Sequence, residues 1–201
     1  MKNFVITPFL LAAVLLGSAT ADAAKCKFAK DETDPFTEVK TQQTKWDQLT
    51  STWMADSREI DGWISVIAVD DYVALWVKLD YTVKPRSEPS KDSLKSVINI
   101  PEGANLLILM PDDTIIELPA VREVKADAYA LAPWDHPMDV NTWTVRAAAN
   151  IKYAMPAEAI AALKAQDPTD IRISAANRDF DIEIHKKSRT DFKNAFACMD
   201  L

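Results

Sequence analysis

Glycine is almost absent. The 201-residue chain carries three, Gly17, Gly62 and Gly103. Phosphate-binding loops, dinucleotide-binding turns and glycine-flanked nucleophile elbows each need two or more glycines within a few residues. Those cofactor and acyl-transfer chemistries are therefore excluded, and no cofactor is expected. Positive charge is also scarce: the formal net charge is −7. A surface of that sign repels phosphate backbones and anionic headgroups, so nucleic acid and membrane surfaces are not expected partners. Only Phe4 to Gly17 approaches a long apolar run. Its roughly 14 residues, interrupted by Pro8, fall short of the about 20 a spanning helix needs. No transmembrane segment is expected in the mature chain. Internal repeats, coiled-coil heptads and low-complexity tracts are missing too.

What is present begins with an export pattern. Lys2 supplies a positive start, the apolar run follows, and Ala21-Asp22-Ala23 reads as a small-x-small cleavage site. Residues 1–23 are thus expected to be a removable signal peptide and 24–201 a single β-rich domain, periplasmic or secreted. Cleavage removes Lys2 and Asp22 together and leaves the charge balance unchanged. Cys26 and Cys198 are the only cysteines. In an oxidising compartment they are expected to form one disulfide that pins both termini, worth about 5 kcal/mol in the chain-entropy account. Their spacing does not suit a redox pair of the Cys-x-x-Cys kind.

Strand signals dominate the rest. Tyr72 to Val83 alternates, with Val73, Leu75, Val77, Leu79 and Tyr81 on one face and Lys78, Asp80 and Thr82 on the other. Gly62 to Val69 is apolar on both faces, as a central strand is, and Asp70-Asp71 joins the two as a tight turn. Pro111-Asp112-Asp113 separates a second pair, Asn105 to Met110 and Thr114 to Leu118. Trp143 to Tyr153 alternates again. Lys84 to Lys95, with its two prolines, reads as a solvated crossover between sheets. Helical signals come late: Pro156 opens one helix that Asp167-Pro168 stops, and Ser188 caps a final one running to Met199. The fold expected is mainly β, an antiparallel sandwich or barrel-like domain with two short C-terminal helices.

Three groups of residues are candidates for chemistry. Trp134-Asp135-His136-Pro137-Met138-Asp139 places a histidine between two carboxylates, either of which could orient His136 as a general base. No nucleophile lies near it in sequence. Asp179, Asp181, Glu183 and His185 share one face of an alternating strand, where neighbours stand about 7 Å apart. Asp181, Glu183 and His185 could hold a divalent ion. The better account is a cross-strand charge ladder: a turn at Ala175 to Arg178 sets Arg172 opposite Asp181, with Ile171 and Ile173 facing Ile182 and Phe180 inside. Finally, six tryptophans are many for this length. Trp63 and Trp143 sit on apolar faces and read as core. Trp76 falls on the Lys78 and Asp80 side of its strand and, with Trp134, is the candidate binding residue.

The tail has a recurring look. Tyr153, the helix at Pro156 to Ala165, Asp170-Ile171-Arg172-Ile173, Asp179-Phe180-Asp181-Ile182 and a closing helix with the last cysteine together resemble uncharacterised exported bacterial cell-envelope proteins. The resemblance covers about the last fifty residues and implies a β-rich envelope domain, with no catalytic residues attached. The function expected is an exported binding or interaction module whose partner is another cell-envelope protein or a small ligand. The alternatives are a small hydrolase using Asp135, His136 and Asp139, and a carrier of an apolar ligand between two sheets.

Overall fold

The computed structural model describes residues 27–53, 59–133 and 142–199. In chain order the elements are β1 (Phe28–Thr33), β2 (Lys40–Thr44), β3 (Asp47–Trp53), β4 (Glu59–Val69), β5 (Tyr72–Val83), α1 (Lys91–Lys95), β6 (Asn99–Ile100), β7 (Asn105–Leu109), β8 (Ile115–Pro119), β9 (Val124–Lys125), β10 (Asp127–Leu131), β11 (Thr144–Ala154), α2 (Ala157–Ala165), β12 (Asp170–Ser174), β13 (Asp179–Glu183) and α3 (Lys186–Ala197). The architecture is mainly β, as expected, with antiparallel sheets and α2 and α3 near the C-terminus. The seven-stranded sheet runs β1-β2-β4-β5-β11-β10, with β3 also pairing β4. A four-stranded sheet runs β13-β12-β7-β8, and β6 with β9 forms a small ribbon.

Turn chemistry sets the registers. Asp70, at φ 49°, takes the left-handed conformation that aspartate tolerates, so a two-residue loop closes on the pair Val69 and Tyr72. Its Oδ1 accepts from the Lys40 N–H at 3.1 Å, tying the hairpin to β2. Between β7 and β8, Asp112 Oδ1 accepts from the Thr114 N–H at 3.1 Å. Hydrogen bonds from Thr114 hold this carboxyl below its usual value. The Ala175 to Arg178 turn sets Arg172 opposite Asp181, Ile171 opposite Ile182 and Ile173 opposite Phe180, as the pattern predicts. Gly103 carries a positive φ of 77° in the turn before β7, which a β-carbon would oppose.

The two large sheets bury their facing sides together. Tyr81 meets Phe180 edge-on at 5.4 Å between ring centroids. Gly62 permits a close approach: a β-carbon there would stand 3.0 Å from Ile182 Cδ1. Phe192 and Phe196 of α3 are wholly buried, and α3 packs on β3 and α2. Leu75, Leu79, Ile108, Ile173 and Phe180 are almost entirely shut from solvent and belong to one hydrophobic cluster.

Several expectations are corrected. Trp63 is half-buried on the outer side of β4, because Ile60, Ile64, Val66 and Ala68 take the inner side and the alternation leaves Trp63 opposite them. Trp143 is also half-buried, just ahead of β11, where its backbone N–H donates to the Pro85 carbonyl at 2.9 Å. The final helix is capped by His185, not Ser188: His185 Nδ1 accepts from the Lys187 N–H, and Ser188 falls within the first turn. His185 therefore lies beyond the end of β13 and not on its charged face. Lys84 to Lys95 does lead from β5 toward β6, but ends in α1, where Ser90 Oγ accepts from the Ser93 N–H at 3.1 Å. Pro156 stands at the cap of α2, one position before the first helical residue.

Candidate binding site on the outer face of the large sheet

A fault in one strand edge builds this site. Along the same edge of β4, β2 pairs with Ile67 to Val69 and β3 with Glu59 to Ile64, and the chain between carries one residue more than β4 does. Buried polar groups absorb the surplus: Thr44 Oγ1 accepts from the Val66 N–H at 2.9 Å, and Ser65 Oγ donates to the Thr44 carbonyl at 2.8 Å. An extra residue of this kind re-aims the side chains beside it. Trp46, at the break, emerges 38% exposed and stands against Trp76, with ring centroids 6.3 Å apart and planes tilted by 42°.

Register assembles the rest in rows. Trp76 lies opposite Ser65 on one side and Lys152 on the other; Lys78 lies opposite Trp63 and Asn150; Asp80 lies opposite Asp61. Lys152 Nζ sits 4.8 Å from the centroid of the Trp76 ring, and Lys78 Nζ sits 4.5 Å from that of Trp63 while pairing with Asp80 at 3.1 Å. Each such cation over an indole is worth about 0.5–1 kcal/mol at a partly exposed position. The Val121 N–H donates to the Lys152 carbonyl at 2.9 Å and brings Arg122 to the rim. The resulting cleft of about 540 Å³ is lined by Trp46, Trp76, Lys78, Arg122, Asn150 and Lys152, with three cations and, among the described residues, no carboxylate. A second cleft of about 320 Å³, further along β5, is lined by Asp61, Asp80, Thr82, Tyr129 and Arg146.

Polar groups on this face are left over by the fold. Six buried side-chain polar atoms among the described residues lack a hydrogen-bond partner, and Trp76 Nε1, Asp61 Oδ1 and Asp80 Oδ1 are three of them. Native folds satisfy most such atoms, so a concentration on one face of two adjacent strands calls for an explanation.

The other candidates fare differently. Trp134, Asp135, His136 and Asp139 lie outside the described residues, as does Cys26. Asp181 and Glu183 share the exposed face of β13, but Asp181 is engaged by Arg172, whose Nη2 lies 3.1 Å from Oδ2, and His185 is occupied as a cap. Among the described residues no group of three metal-ligating side chains converges. Trp46, Arg122 and Asp61 escaped the sequence reading as site residues, and Arg146 entered it only as a polar position of the alternating Trp143 to Tyr153 stretch. Asn150 and Lys152 were visible as the wet side of their strand, but only the pairing of β11 with β5 brings them to Trp76. Elsewhere, Leu107, Leu109, Ile115 and the Arg172–Asp181 pair line a depression of about 340 Å³ over the small sheet. Asp47 shares a cleft with Lys27, Asp191 and Cys198, where burial first and the Asp191 charge second raise its pKa.

Compared with family models, with curated proteins and with solved structures, the chain matches none. No helix among the described residues is long and apolar enough to cross a membrane.

Proposed function

We propose that this chain is an exported binding or interaction module, periplasmic or secreted, that captures its ligand or envelope partner on the outer face of the large sheet around Trp76. The observation that carries the reading is the cleft between Trp46 and Trp76, where two indoles and a cationic rim stand together. Aromatic anchors flanked by polar groups carry affinity out of proportion to their number. The carrier alternative draws less support, because the facing residues of the two sheets fill the space between them. The hydrolase alternative rests on Asp135, His136 and Asp139, outside the described residues.

Export is part of the same reading, and so is a bridge between Cys26 and Cys198. Lys27, the neighbour of Cys26, lines the same cleft as Cys198, which favours that pairing. The resemblance of the tail to exported envelope proteins points the same way. A photo-crosslinking residue placed in cells at position 121, on the rim of the cleft and leaving both indoles in place, with one at position 115 as control, tests the proposal. A partner or ligand trapped from 121 and not from 115 is expected; equal trapping from both, or none, overturns the reading.

A further inference from the structure

Resting on that reading, we infer that the ligand is an acidic oligosaccharide laid along β5, with carboxylates toward the Trp46 and Arg122 end. Charge argues first. Lys78, Arg122, Arg146 and Lys152 outnumber Asp61 and Asp80 across the two clefts, a local excess of cations on a chain of net charge −7. An anion is drawn here while the remaining surface repels it.

The paired indoles narrow the class: the C–H face of a pyranose ring lies flat against indole, and its hydroxyls can donate to and accept from the polar side chains that line the clefts, Lys78, Asn150 and Lys152 in one and Thr82 in the other. Length agrees: six residue steps from Trp76 to Thr82 span about 20 Å, room for several linked rings.

Two other polymers fit less well. An extended peptide captured by a sheet adds to an unpaired edge, whereas β4, β5 and β11 have their backbone groups committed to one another. Single-stranded nucleic acid would stack on the indoles but carries a phosphate at every step, past Asp61 and Asp80.

The test titrates the exported chain with cellotetraose carrying a uronic carboxylate on one terminal ring only, with uncharged cellotetraose and with oligothymidylate, by calorimetry and tryptophan fluorescence at low and high salt. The terminal uronate is expected to bind, more weakly as salt rises. Trp76→Ala and Lys152→Gln are each expected to weaken it at least about tenfold. Lys152→Gln should shift the unfolding transition only slightly, by the loss of one cation over the Trp76 ring, so that a tenfold loss of binding in a folded chain is not a loss of fold. Equal binding of cellotetraose overturns the acidic assignment, and tighter oligothymidylate overturns the saccharide. Binding of no probe while position 121 still traps a partner in cells overturns the ligand class and spares the binding module; failure of both overturns both.

Discussion

Replacing Ile182 by alanine tests the closeness of the two sheets. Ile182 is 1% exposed, and its Cδ1 occupies the space that a side chain at position 62 would fill. Three carbons are removed, about 2.4 kcal/mol of transfer free energy at 0.8 per methylene. The void left behind adds to this, because Gly62 has no side chain with which to fill it. The total should therefore reach about 4 kcal/mol, in the upper part of the range for buried aliphatic truncations. Gly62→Ala alone should cost about 1 kcal/mol: the new methyl presses on Ile182, partly offset by the stiffer unfolded chain. In the Ile182→Ala background the same methyl enters the void and should return about 1–2 kcal/mol. The coupling between the two sites is then about 2 kcal/mol or more, of a sign that independent sites do not show. Urea unfolding of the four proteins, with the denaturant slope compared across them, measures it. If the two costs simply add, Ile182 is not seated on Gly62 and the packing argument fails.

Three further outcomes are expected. Arg172→Ala should leave stability close to that of the parent, since both partners of the pair are half exposed (50% and 62%) and screened, and added salt should shrink any difference in thermal melts. Asp47→Asn should raise the melting temperature at neutral pH. A carboxyl whose folded pKa lies above its usual 3.8 penalises the folded state once ionised, and the penalty fades as pH falls through the raised pKa, so the gain should vanish below 3.8. An Asp47→Asn gain that instead grew in acid would contradict the assigned shift. Tyr153→Phe should be neutral or stabilising by about 1 kcal/mol in denaturant unfolding, because the Tyr153 hydroxyl is buried without a partner, and that burial pushes its pKa up. A clear loss would reveal a hydrogen bond to that hydroxyl.

The site on the outer face was only half legible in the sequence. Trp76 declared its side of β5 because its neighbours Val73, Leu75, Val77 and Leu79 are apolar and Lys78 and Asp80 are not. Trp63 could not do so: Gly62 to Val69 is apolar on both sides, and a pattern without contrast has no phase. The His185 cap was missed because Ser188 is the stronger capping residue by type, whereas backbone geometry starts the helix at Lys186. Trp46 was missed because its position depends on an edge where β2 and β3 share β4 with one residue to spare.

By itself the sequence determined the local things: the extent of β5, the Asp70-Asp71 and Ala175 to Arg178 turns, the Arg172 to Asp181 register and the inward set Ile171, Ile173, Phe180 and Ile182. Alternation with a period of two and the backbone preferences of turn residues act over a few neighbours, so they are written where they act. Tertiary structure alone decided that β5 lies between β4 and β11, which brings Lys152 and Asn150 from about 75 residues away to Trp76 and Lys78. It also decided that the surplus residue after β2 turns Trp46 onto the same face. Strand order and the placing of a bulge follow from how all the apolar faces are buried at once, a condition that no single stretch of chain contains.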